Sequence, residues 1–190
     1  KKRPLSIPVL EDKIVQKAAV EILSRIYEQD FLPCSYGYRP GKNAHQAVQG
    51  LQKEIVLGQV NHILEADIQD YFGSIVREKL KEMLKKRIAD KDVLRLIGKW
   101  LAVGVIEDGK LFRSEDGTYQ GSVISPLLAN VYLHEVLDLW VEREVKPRMR
   151  GAVTLFRYAD DFVVCFQYQD DAGRFQRVLP KRFERYGLKL

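Results

Sequence analysis

Apolar residues recur at helical spacing near the start of the chain. Ile14, Val15, Ala18, Ala19, Ile22, Leu23 and Ile26 fall on one stripe that Asp12 opens. Pro4 and Pro8 keep the residues before it extended. The same periodicity predicts helices over Ala44 to Leu57, closed by Gly58, over Glu78 to Ile88, over Asp92 to Val103 and over Ala172 to Tyr186. Ser125-Pro126 supplies a cap and a first-turn proline, and predicts a long helix to about Glu144. Between these stand short apolar runs. His62 to Ile68 reads as a strand with Asp67 near its end, and Val105-Ile106-Glu107 with Lys110-Leu111-Phe112 reads as a hairpin about Asp108-Gly109. Ala152-Val153-Thr154-Leu155-Phe156 and Phe162-Val163-Val164-Cys165-Phe166 form a second hairpin with Tyr158-Ala159-Asp160-Asp161 at its tip. Helices interleaved with short strands predict an α+β fold rather than a regular βαβ array.

Composition narrows this picture only a little. The chain has 190 residues, enough for one core, with 46% apolar and 30% charged positions. Lys and Arg number 31 against 26 acids, a net charge of +5 that favours a polyanionic partner. Cys34 and Cys165 match neither a metal-ligand spacing nor a disulfide framework, which points to a reducing, cytoplasmic compartment. No apolar run approaches the roughly 18 to 20 residues that span a bilayer, so no membrane partner is expected. Both ends read as cut from a longer protein: Lys1 lies within a basic run, and Gly187-Leu188-Lys189-Leu190 starts a strand-like segment.

Chemistry concentrates in four places. Asp160 and Asp161 at a rigid turn repel each other unless a cation sits between them, which suits divalent metal and phosphoryl chemistry. An ordinary polar turn also favours Asp, and the hairpin alone leaves both readings open. Asp67, at a strand end ahead of Tyr71-Phe72, is either a carboxylate aimed into a cleft or a strand-terminating residue. Gln120-Gly121-Ser122-Val123-Ile124-Ser125-Pro126 runs through a glycine turn into a helix start, where backbone can approach a ligand closely. Ser35-Tyr36-Gly37-Tyr38-Arg39-Pro40-Gly41-Lys42 sets two cations and two tyrosines at a loop that could hold phosphates or simply be solvated. His45, His62 and His134 take no role, and Trp100 and Trp140 sit at core spacing.

Taken in order, Arg3-Pro4-Leu5-Ser6-Ile7-Pro8, SYGYRPGK, Asp67 with Tyr71-Phe72, QGSVISPLLANVYL and Arg157-Tyr158-Ala159-Asp160-Asp161 resemble a reverse transcriptase. The SYGYRPGK and SPLLANVYLHEVLD segments resemble those of bacterial group II intron reverse transcriptases (maturases). The resemblance implies a right-hand polymerase, with fingers at about 1–60 and 75–115 and palm at about 61–74 and 116–190. It places the thumb and the maturase region outside this chain. It implies that Asp67, Asp160 and Asp161, with the Ile68 carbonyl, hold two Mg²⁺ ions, or Mn²⁺ in their place. Arg39 and Lys42 would meet the triphosphate, Tyr71 would lie under the sugar, and Gln120 and Gly121 would line the nucleotide pocket. Lys2 and Arg3 would track the template. The implied partners are an RNA template, a DNA primer, intron RNA and deoxynucleoside triphosphates, with a homodimer as the open oligomeric state.

Three positions depart from the family pattern: Tyr119 replaces a usual Pro, Ser6 a frequent Gly, and Gly73 a common Asp. None is an expected metal ligand. Other bacterial reverse transcriptases, of CRISPR-associated or diversity-generating type, share these motifs. An RNA-binding maturase fragment that does no chemistry alone, and an RNA-directed RNA polymerase, are the readings from other classes.

Overall fold

A computed structural model describes residues 8–102, 105–107, 110–112, 117–118 and 121–190. The expected elements are there. α1 spans Leu10–Tyr27, α2 Ala44–Leu57, α3 Tyr71–Ser74, α4 Arg77–Lys85, α5 Lys91–Ala102, α6 Ser125–Leu133 and α7 Gln169–Glu184. The strands are β1 (His62–Ala66), β2 (Val105–Glu107), β3 (Lys110–Phe112), β4 (Val153–Tyr158) and β5 (Asp161–Phe166). β1, β5 and β4 form an antiparallel sheet in that order, and β2 and β3 pair as a separate hairpin. The fold is α+β. The expected Asp108-Gly109 turn lies outside the described residues.

Alternation along the sheet decides its two faces. Val153, Leu155, Phe162, Val164 and Phe166 are buried on one face, where Phe175 of α7 packs on Phe166 and Phe183 on Phe162. The opposite face carries Thr154 and Phe156 toward α2: the Thr154 hydroxyl donates to the Glu54 carboxylate at 2.9 Å, and Gly50 lies against the Phe156 ring. α2 is fixed by a capping box, in which Asn43 and Gln46 each accept from the other's backbone amide.

Four details differ from the sequence expectations. α1 buries Leu23 and Tyr27, yet Ile14 and Ile22 are 61% and 66% exposed, because only one edge of the wide apolar stripe meets the core. β1 stops at Ala66, which leaves Asp67 just past the strand end. Ser125 is the first residue of α6 rather than its cap, and the buried Gln16 side chain of α1 accepts instead from the Ser122 hydroxyl and the amides of Val123 and Ile124. Beyond Leu133 the long helix continues through π-helical turns at His134–Asp138 and Val141–Val145. Trp100 and Trp140 are buried, as their spacing predicts.

Candidate active site

The β1–β5 register brings two of the expected acids, Asp67 and Asp161, side by side. Ala66 pairs with Phe162 as the last rung, so Asp67 and Asp161 are the next positions outward and share the face opposite α7. Both line a cleft of about 400 Å³ with Val48, Leu51, Glu65 and Phe156. Asp160 occupies the turn between the paired residues Tyr158 and Asp161. Burial, then Asp160, Asp67 and Glu65, push the Asp161 carboxyl above its usual value. Among the described residues, no group of three or more His, Cys, Asp or Glu is placed so that it could hold a metal ion. Asp67 and Asp161, side by side on neighbouring strands, offer carboxylate oxygens, the donor type that hard divalent ions take.

The turn itself is under strain. Ala159 adopts a φ of 57°, left-handed backbone that costs a non-glycine residue roughly 1 kcal/mol. Surroundings over-determine it. Arg157, fully buried, donates to both Asp138 oxygens at 2.8 and 2.7 Å, to Asn130 Oδ1 and the Ala159 carbonyl at 2.9 Å, and to Ser35 Oγ at 2.8 Å. Burial alone would raise the Asp138 carboxyl, but the guanidinium holding it brings it below the ordinary carboxylate range. The loop before α2 completes the clamp. Tyr36 N donates to the Arg157 carbonyl, Arg157 N donates to the Cys34 carbonyl, and Asn130 Nδ2 donates to the Gly37 carbonyl at 2.7 Å. Gly37 lies so close to the Ala159 amide that a Cβ would overlap it.

The other expected residues divide. Tyr71 is buried, with its hydroxyl donating to the Ala129 carbonyl at 2.6 Å, and burial first of all raises its phenol far above the usual value. Ile68 is buried beside Asp67. Lys42 is exposed, its ammonium 5.5 Å from the Tyr36 ring centre. Arg39 is not free for a phosphate. Its guanidinium holds the Glu28 carboxylate and the carbonyls of Leu32 and Ser35, and sits over Phe31, so it fastens the loop from within. Gly121 is exposed at a φ of 107°. Lys2, Arg3, Tyr119, Ser6 and Gln120 lie outside the described residues.

Two features escape the sequence. Tyr38, next to Gly37 at the hairpin tip, has a φ of 56°, and its phenol is raised by burial and then by Asp160, Tyr158 and Asp161. The departure at Gly73 has a packing reason: the Asp70 carboxylate occupies the space its Cβ would take, and Gly117 approaches its backbone closely. There Gly117 N and Thr118 N donate to the carbonyls of Ile75 and Phe72 at 2.8 and 2.7 Å.

Asp67 and Asp161 stand at the edge of a small antiparallel sheet, with Asp160 in a hairpin turn clamped by a buried arginine, and acids of this kind are what phosphoryl transfer uses. The family model "Reverse transcriptase (RNA-dependent DNA polymerase)" matches residues 1–190, and the chain belongs to that family. Members of the family use divalent metal ions. The chain is similar to protein YkfC of Escherichia coli K12, 33% identical over 192 residues, covering 86% of this chain and 50% of that protein. It is 39% identical over 141 residues to the group II intron-encoded protein LtrA of Lactococcus lactis subsp. cremoris, covering 74% of this chain and 23% of LtrA. It thus spans half or less of these relatives. A Candida tropicalis telomerase, solved with a fragment of telomeric RNA, shares the fold at a TM-score of 0.64 and 12% identity, over 92% of this chain and 32% of that one. Among the described residues no helix is long and apolar enough to cross a membrane.

Proposed function

We propose that this chain carries the nucleotidyl-transfer centre of an RNA-directed DNA polymerase encoded by a group II intron. The observation that carries the reading is the β1–β5 register, which sets Asp67 opposite Asp161 with Asp160 in the adjoining turn. In this reading residues 61–74 and 116–190 form the palm, and residues 1–60 and 75–115 the fingers. The templates are RNA, with intron RNA among them, the primer is DNA, and the substrates are deoxynucleoside triphosphates. The compartment is a bacterial cytoplasm.

Asp67, Asp160 and Asp161, with the Ile68 carbonyl, would hold two Mg²⁺ ions. Bound there, the cations would acidify the primer 3′-hydroxyl and neutralise the triphosphate. The chain's own residues position the reactants. The clamp on Arg157 fixes the acidic tip, so little reorganisation is left for the reacting state. Lys42 and the glycine turn at Gly121 meet the triphosphate side, with Gln120 beside Gly121 assigned on sequence order. Tyr71, held by Ala129, forms a fixed wall under the sugar, where a 2′-hydroxyl would meet a ring that cannot move aside. Lys2 and Arg3 keep their template role on sequence order alone. Arg39 has none of this, because Glu28 holds it.

Primer extension on an RNA template tests the reading. Asp160→Asn and Asp161→Asn should each lower the rate by about 10³-fold or more while the protein stays folded. Extension within tenfold of the parent would sink it.

A further inference from the structure

A stripe of unneutralised positive charge lies on the side of the sheet away from the carboxylates. α7 packs Phe175, Leu179 and Phe183 inward, against Trp140 and the buried face of the sheet. Its outward side carries Arg174, Val178, Lys181 and Arg185 at steps of four, three and four residues. That spacing sets them on one stripe about 16 Å long. All four are exposed, and among the described residues Arg174, Lys181 and Arg185 have no carboxylate within ion-pair distance. The stripe forms one wall of a groove of about 460 Å³, and the continuation of α6 forms the other with Trp140, Val145, Arg148 and Met149. Glu144 is the one acid in the lining, and it pairs with Arg148 at 3.6 Å. Arg182 is held on Trp140 and on the Val136 carbonyl, so it shapes the floor rather than reaching out.

We infer that this groove is a second nucleic-acid site, which takes the phosphate backbone of an RNA strand distinct from the segment at the carboxylates. Charge complementarity selects the occupant. Three free cations repeated along a straight stripe match a polymer of evenly spaced phosphates, and Val178 and Met149 offer apolar contact for riboses or base faces. An acidic peptide would need fixed backbone hydrogen-bond partners, and the described lining offers long, mobile side chains instead. The sheet lies between α7 and the cleft that holds Asp67 and Asp161. A strand in the groove therefore does not compete with a primer at the acids. Such a site suits a polymerase that must keep hold of a long RNA while a short part of it is copied. The binding itself does not depend on the polymerase reading.

The test neutralises the stripe. The triple variant Arg174→Gln/Lys181→Gln/Arg185→Gln should melt like the parent, since none of the three side chains holds a carboxylate. Its affinity for a labelled RNA of about 40 nucleotides should fall at least tenfold at moderate salt. The slope of log affinity against log salt should drop by roughly two to three, about 0.7–0.9 for each phosphate left without its cation. Extension of a short primer-template should keep its rate. A second variant, Lys91→Gln/Arg95→Gln/Lys99→Gln on the exposed face of α5, removes the same charge elsewhere. The inference is overturned if the α7 variant keeps the parent's affinity and slope, if the α5 variant weakens binding as much, or if a polyglutamate competitor displaces RNA from the parent but not from the α7 variant. Loss of primer extension in Asp160→Asn with RNA binding intact would separate the two sites.

Discussion

Arg157 has five N–H groups, and each finds an acceptor among Asp138, Asn130, Ser35 and the Ala159 carbonyl. A lysine offers three donors from a single point and cannot span them. Arg157→Lys should therefore destabilise the fold by about 3–5 kcal/mol, the usual effect of breaking a buried pair and stranding its partner. Urea unfolding checks this, and a loss below about 1 kcal/mol would mean that the clamp is dispensable. Asp138 also sets an acid limit. Its carboxyl is depressed in the folded state, so the stability it contributes is complete above its unfolded value near 3.9 and is lost as pH falls through the folded value. Melting temperature should thus drop steeply below about pH 4, and the Asp138→Asn variant should lack that component. Asp161 has the opposite sign: its raised carboxyl is a penalty fully present at neutral pH.

At the scale of elements, the decisive contact is between the loop before α2 and the β4–β5 hairpin. The loop runs beside Arg157 through a bridge at Ser35 and reaches the tip at Gly37, where backbone meets backbone. Gly37→Ala leaves no side chain that can swing away, so the hairpin or the loop must shift. It should destabilise the protein by about 1–3 kcal/mol, as overpacking does, and raise the Mg²⁺ concentration needed for primer extension. Unchanged unfolding and an unchanged metal requirement together would show that this close approach carries nothing. Much of this level was legible in the chain. Runs of β-forming residues about turn residues mark both hairpins, and helical periodicity marks α2. The π-helical turns that carry Asp138 were not legible, because no local residue choice signals an extra residue per turn. Only packing against Arg157 gives that placement a reason.

Across the whole molecule, the cleft at the sheet edge trades stability for charge. With metal removed by EDTA, Asp161→Asn should melt higher than the parent by about 1–3 °C, because it relieves carboxylate repulsion at a largely exposed site. Added Mg²⁺ should raise the melting temperature of the parent and not of the variant, since a ligand stabilises only the state that binds it. A variant that melts lower in EDTA would contradict the electrostatic picture.

The sequence by itself determined the hairpin that bears Asp160 and Asp161 and the helical frame, because both rest on local residue patterns and turn chemistry. It also contained the motifs that align this chain with its family. Tertiary structure alone decided which charged residues are free to act. Arg39 and Lys42 look equivalent in SYGYRPGK, yet one is locked to Glu28 while the other faces solvent. Arg157 and Asp138 stand 19 positions apart and show no sign of partnership until the sheet lies against the helix. The physical reason is the same in each case. A charge is a ligand or a strut according to whether a partner reaches it first, and partners across the chain are set by packing rather than by spacing.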